Sequence, residues 1–294
     1  MTTQLAWKAL SLVSHLHAAE AVARQRQLAD ERLAAALAEP AALLAGEIRI
    51  AHLPAGRFWR HLIPLAATLD SRRQLVETAV VKVAGRDSRT EPAVVPITAA
   101  LAAVETAAGA ALPKFAEEIA LRERPLREQW EARGPGLLTQ IGWLTDPALL
   151  PESCPVLLVH PTLGGGGAAH LSYNSVRIEA VLANPIPELP EVVRLAWLIA
   201  QLQLDLPMWS EALHAERLPH VAQYAMLPAT LAAAESVELA RLTPETLRLA
   251  VDSWNLSVPK GVDASTLIFD WWQTYIADRP PFRVALAALD QMFG

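Results

Sequence analysis

The sequence predicts a mainly helical α+β protein with a small sheet, open to mixed strand pairing. Three observations carry this. Hydrophobic residues make up 52% of the 294 residues and charged residues 19%, with Ala abundant, a composition that suits packed helices and not a disordered chain. Apolar residues recur at helical spacing through most of the chain. Only over 137–187 do Pro, Gly and β-branched residues accumulate, with apolar residues in runs or strict alternation. The length suits one compact unit spanning 1–294 with a sizeable core. A subdivision into a helical part, 1–136, and a strand-containing core with C-terminal helices, 137–294, stays open, although no fixed-period repeat or long linker marks it.

In chain order, Leu5, Leu12, Leu16, Ala19, Val22 and Ala23 predict one long helix over 3–45, with Pro40 as a break and Gly46 as a stop. EIRIAHL (47–53) alternates as a short strand does. The segment from Gly56 begins as helix, while TAVVKVAG (78–85) reads as strand and GRDSRTEP (85–92) as loop. Helices follow at 96–111 and 113–132, the second opened by Pro113 with Glu117 and Glu118 near the positive end of its dipole, and closed by the Gly-Pro-Gly at 134–136. Residues 155–159 form a buried strand. SVRIEAVL (175–182) is a half-buried one, with Val176, Ile178, Ala180 and Leu182 inward and Arg177 and Glu179 outward. ELPEVVRLAWLIAQLQLDLP (188–207) is a central helix, apolar almost all round, started by Pro190 and Glu191 and stopped by Pro207. Further helices fall at 209–216, 219–236, 243–254, 263–277 and 281–293, with Thr243-Pro244-Glu245 as a cap and first turn.

The bulk properties narrow the function. A formal charge of −6 and no basic stripe speak against a nucleic-acid partner, and RERPLRE (122–128) mixes both signs as a solvated helix face does. No uninterrupted apolar run is long enough for a membrane span; 95–112 comes nearest and carries Glu105. The N-terminus has no signal-peptide pattern, and the lone Cys154 makes no internal disulfide, which fits the cytoplasm. Cys154 borders an apolar run and reads as a packed, structural cysteine.

The stretch PVLLVHPTLGGGG (155–167) invites a phosphate or oxyanion reading. Gly164, Gly166 and Ala169 meet a dinucleotide G-x-G-x-x-A pattern, but a helix should begin inside the glycines, and here the following segment reads as extended. There is no P-loop lysine and no G-x-S-x-G nucleophile elbow. Of the eight histidines no two lie four apart. Glu211 and His214 form a single E-x-x-H where a di-metal bundle needs two, so neither a metal nor a cofactor is expected. In FDWWQTY (269–275), Trp271, Trp272 and Tyr275 read first as core, with a partner- or ligand-binding surface as the second reading. RFWRH (57–61) reads as packing with snorkelling arginines.

The element order of 155–207, an apolar strand, a glycine-rich turn, an alternating strand and a buried helix, resembles the core of zincin metallopeptidases. LAWLIAQL (195–202) is similar to that family's L-A-H-E-x-x-H-L run. In this register Trp197 stands for the first zinc histidine, Leu198 for the catalytic glutamate and Gln201 for the second histidine. The resemblance implies an edge strand beside a cleft and a scaffold that has lost its metal and its peptidase chemistry, because Trp and Leu neither ligate zinc nor act as a base. The leading functional expectation is therefore a non-catalytic binding or scaffolding protein, with a protein or peptide partner open, on an inactive peptidase-like core. The alternatives are a hydrolase-type enzyme at the 160–174 loop, with His160 or His170 as acid or base and Tyr173 or Asn174 assisting, and a helical interaction module using the Trp-rich C-terminal segment.

Overall fold

Two thirds of the chain is helical, around one small mixed sheet. The computed structural model describes every residue except 1–2, 87–90, 164, 166, 181–184, 212, 257, 259–260 and 294. Thus Gly164 and Gly166 of the glycine pattern, Leu182 of the alternating strand and the middle of the 85–92 loop lie outside the described residues.

The sheet has strands β1 (Gln4–Ala9), β2 (Ser153–Val159), β3 (Ala168–His170) and β4 (Ser175–Glu179) in the order β1-β2-β4-β3. β1, β2 and β4 are mutually parallel, and β3 is an antiparallel edge on β4. The long crossover from β1 to β2 carries α1 (Ser11–Ala23), α2 (Glu31–Ile50), α3 (Ala55–Leu65), α4 (Arg72–Ala84), α5 (Glu91–Ala111), α6 (Phe115–Arg122) and α7 (Arg124–Leu144). After β4 come α8 (Glu191–Ala200), α9 (Pro207–Ser210), α10 (Leu218–Ser236), α11 (Pro244–Ser253), α12 (Ala264–Asp278) and α13 (Phe282–Met292). Since β1 pairs with β2, the sheet itself spans the 136/137 boundary.

The sheet divides two hydrophobic clusters. Val156, Leu158, Val176 and Ile178 face one, built with α7, α8 and α10–α13; Leu157 and Val159 face the other, built with α1–α5. A strand buried on both faces loses the alternation of a half-exposed one, which is why VLLV is uniformly apolar.

Several local expectations give way to packing. The predicted helix over 3–45 is instead a strand, a helix and the start of a second helix, because Gln4–Ala9 completes the parallel sheet beside β2. Pro40 and Gly46 both lie inside α2, which runs on through 47–50, where a strand was expected. A helical proline costs about 3 kcal/mol. Burying Leu33, Leu37, Leu44 and Ile48 on one face offsets it, at about 1.5–3 kcal/mol per side chain. TAVVKVA is helix, not strand: Ser71 caps α4 by accepting from the Gln74 N–H, and Leu75, Val76, Ala79, Val80 and Val83 form its buried stripe. The Gly-Pro-Gly does not end a helix but lies within α7, where a Cβ on Gly134 would overlap the Trp130 ring. The central helix is shorter than predicted, Glu191–Ala200, and Glu211 and His214 lie past the end of the single-turn α9. In the C-terminal half, Thr243 and Asp263 cap α11 and α12 by accepting from the backbone N–H three residues on.

Among the described residues α5 is the one helix long and apolar enough to cross a membrane. It packs Val94, Ile97, Leu101 and Val104 into the second cluster, and its Glu105 is ion-paired with Arg72.

Candidate functional site

The polar centre of the molecule lies on β4 and β3. Residues 175, 177 and 179 point to the α1 side of the sheet, opposite Val176 and Ile178. Arg177 and Glu179 were expected on the outward face; both are buried, Arg177 against Glu20 of α1 and Glu179 against Thr162 and Arg194. His170 pairs with Ser175 and Ala168 with Arg177, so His170 stands on this same polar face.

Helix α1 supplies the facing groups. His17 and Glu20, three residues apart, share one side of the helix. Glu20 accepts from Arg177 Nη2 at 2.7 Å and pairs with Arg24 at 2.9 Å. At the end of β4, Glu179 accepts from Thr162 Oγ1 at 3.2 Å and from Arg194 Nη2 at 2.5 Å, and Arg194 Nε also donates to Glu191 at 2.9 Å. Arg194 is only 2% exposed. Burial opposes its charge, yet Glu179 and Glu191 raise its pKa above the ordinary value. Burial also opposes ionisation of Glu20, but Arg177 and Arg24 hold its pKa below the usual carboxylate value.

Gly165 and Gly167 border this centre. Gly165 has φ 81°, a left-handed conformation only glycine adopts freely, and its carbonyl accepts from Arg26 and from Asn255 Nδ2. A Cβ on Gly167 would come within 3.0 Å of Leu198 and 3.2 Å of the Arg177 carbonyl, so glycine is what lets the loop pass between β4 and α8.

Five nitrogen atoms here are buried without a hydrogen-bond partner among the described residues: Nδ1 and Nε2 of His17, Nε2 of His170, and Nε and Nη1 of Arg177. Burial, followed by the neighbouring Arg177 charge, pushes the pKa of both histidines well below 6.5, so both rings are neutral at pH 7.

The sequence-selected residues separate in space. His170 belongs to this centre. His160, at the end of β2, donates its backbone N–H to Ser14 Oγ, keeps an unpartnered buried Nε2, and borders an open depression of about 420 Å³ with Asp30, Arg32 and Arg122. Tyr173 OH lies 2.7 Å from His61 Nδ1, with burial pushing its phenol up to about 12. Asn174 is structural: it takes the left-handed position (φ 44°) of the β3–β4 turn and donates to the Ser153 carbonyl, at the opposite end of the strands from His160. The Cys154 thiol is fully buried, and burial pushes it up to about 12, the behaviour of a structural cysteine.

On α8, Trp197 Nε1 donates to the Gln223 carbonyl and its ring packs on Trp254, Leu198 sits under Gly167, and Gln201 donates to the Trp197 carbonyl. All three are buried. The edge strands are β1 and β3, and 175–179 is internal. Trp271, Trp272 and Tyr275 are core: Trp271 Nε1 donates to the Ala285 carbonyl and Tyr275 OH to the Leu144 carbonyl. All three are buried, so these rings form no exposed aromatic patch.

Sequence reasoning passed over His17, Glu20, Arg177, Glu179 and Arg194 as site residues. The usable signal was polarity where pattern demands apolarity: a lone arginine in the otherwise apolar start of the central helix, and a Glu and a His among the core residues of α1.

Among the described residues, no three His, Cys, Asp or Glu side chains gather to hold a metal ion. Comparison of the chain with protein-family models, with curated proteins and with solved structures finds no match to any of them.

Proposed function

We propose that this chain is a non-catalytic binding protein that holds a small molecule against the polar face of β3 and β4. One observation carries the reading: His17, His170 and Arg177 are more than nine-tenths buried, share one sheet–helix interface, and keep five polar atoms unmet among the described residues. Buried polar groups in folded proteins are nearly always hydrogen-bonded, and each unmet one costs about 1–3 kcal/mol. A ligand offering polar atoms there removes that cost.

The non-catalytic half of the proposal rests on the candidate nucleophiles. The Cys154 thiol is raised out of reach, and Ser14 and Thr162 are committed to structural hydrogen bonds. The resemblance of 155–207 to the zincin core stands with this proposal as a statement of origin, an inactive peptidase-like scaffold. Burial of Trp197, Leu198 and Gln201 in packed surroundings is what such a loss of metal chemistry would leave. The single, buried cysteine supports a cytoplasmic setting for the same protein.

The test is mass spectrometry of small molecules released when the purified full chain is denatured, followed by thermal-shift titration of each compound found. The expected result is a compound that raises Tm saturably and is recovered unchanged. Turnover of an ester or peptide substrate that His170→Ala abolishes would overturn the proposal, as would the absence of any compound that binds.

A further inference from the structure

The arginines around the glycine loop specify the chemistry of the ligand. The chain as a whole carries a net charge of −6, yet this region is cationic. Arg24, Arg26, Arg177 and Arg194 surround three carboxylates, those of Glu20, Glu179 and Glu191. Two of the carboxylates are already committed: Glu179 to Arg194 and Thr162, and Glu191 to Arg194. Glu20 is shared between Arg24 and Arg177. Arg26 donates to a neutral carbonyl, that of Gly165. At the N-terminal end of α3, Arg57 and Arg60 add further positive charge, and Arg60 feels Arg24.

Gathering like charges in a partly buried place is unfavourable unless a counter-charge joins them. The hydrogen-bonding pattern points the same way. A guanidinium has donors only, so whatever meets Arg177 Nε and Nη1 must bring acceptors. The two neutral histidines each add a ring N–H. A cation is disfavoured by the arginines, and a purely apolar molecule would leave the donors unmet.

We infer that the site takes an oxyanion, the carboxylate or phosphate group of a small molecule, held by Arg177, His17 and His170 near Gly165 and Gly167. This rests on the proposed binding function and adds the class of ligand. The exposed Arg24, Arg57 and Arg60 would draw such an anion toward the half-buried Arg26, and Arg177 receives it.

The experiment is a thermal-shift and calorimetric titration of the dialysed full chain with sodium phosphate and with sodium acetate, each against sodium chloride at equal ionic strength. The two salts distinguish a phosphate from a carboxylate ligand. The expected result is a saturable rise in Tm beyond the chloride control, on the order of 2–5 °C at about tenfold excess over Kd, with one of them. Arg177→Lys keeps a charge for Glu20 but removes the two unmet donors, and is expected to weaken binding at least tenfold. Arg26→Gln, on a part-exposed loop, keeps the test available if Arg177→Lys does not fold, and is expected to weaken binding severalfold. The inference is overturned if neither salt exceeds chloride, or if both variants bind as the parent does. Should the denatured protein then release a stoichiometric neutral or cationic compound, the binding function stands and only the anion assignment fails; if nothing is released and nothing binds, both fail.

Discussion

Acidification should unfold this protein in a window set by its buried histidines. His17 and His170 have folded-state pKa values well below the ordinary 6.5, chiefly from burial and then from Arg177. In the unfolded chain both return to about 6.5. Below that pH the unfolded state therefore binds more protons than the folded one. The stabilisation is complete above 6.5 and is lost as pH falls toward the folded pKa values. With an unfolded pKa of about 6.5, the loss at pH 5.5 is at most about 1.4 kcal/mol for each group, so the pair costs at most about 2.8 kcal/mol. His15 and His160, lowered mainly by burial, add to the same slope. Glu20, held below its ordinary 4.5, contributes only at lower pH, so the two windows separate. The assay is urea unfolding of dialysed protein from pH 7.5 to 5.5 at constant ionic strength. The midpoint should fall steadily below pH 6.5, and His17→Leu should remove about one histidine's share of the drop. A midpoint that stays flat to pH 5.5, or a His17→Leu variant with the parent slope, would show that these rings are not buried as neutral groups.

Three further outcomes follow from named contacts. Gly46 sits inside α2 with nothing within 4 Å of the position a Cβ would take, so Gly46→Ala should stabilise by about 0.5–1 kcal/mol in urea unfolding. Arg194→Leu strands the fully buried carboxylate of Glu179 and should cost about 3–5 kcal/mol in the same measurement; a cost under 1 kcal/mol would mean Glu179 is solvated. Trp272→Ala should cost about 3–5 kcal/mol, the signature of a core ring, where a surface ring would cost almost nothing.

The legible parts of the fold were those decided locally. The 219–236, 243–254, 263–277 and 281–293 helices fall within two residues of their predicted limits, because caps such as Thr243 and Asp263 and a 3.6-residue apolar period act over a single turn. The strands around 155–159 and 175–179 were legible for a similar reason. The N-terminal third misled where local signals were ambiguous. Leu5 to Ala9 has no strand partner within 140 residues, and only β2 makes it a strand. TAVVKVA has the β-branched composition of a strand, but α3 and α5 give it a helical groove to fill.

By itself the sequence determined the class of protein and its helical framework, since composition, period and caps are carried by neighbouring residues. It also contained the site's warning sign, charges set into apolar patterns. Only the tertiary structure decided what those charges do. Glu20 and Arg177 stand 157 residues apart in the chain, and the sheet topology alone brings them to 2.7 Å. The meaning of a buried charge lies in its partners, and long-range partners are written in the fold, not in the spacing of residues.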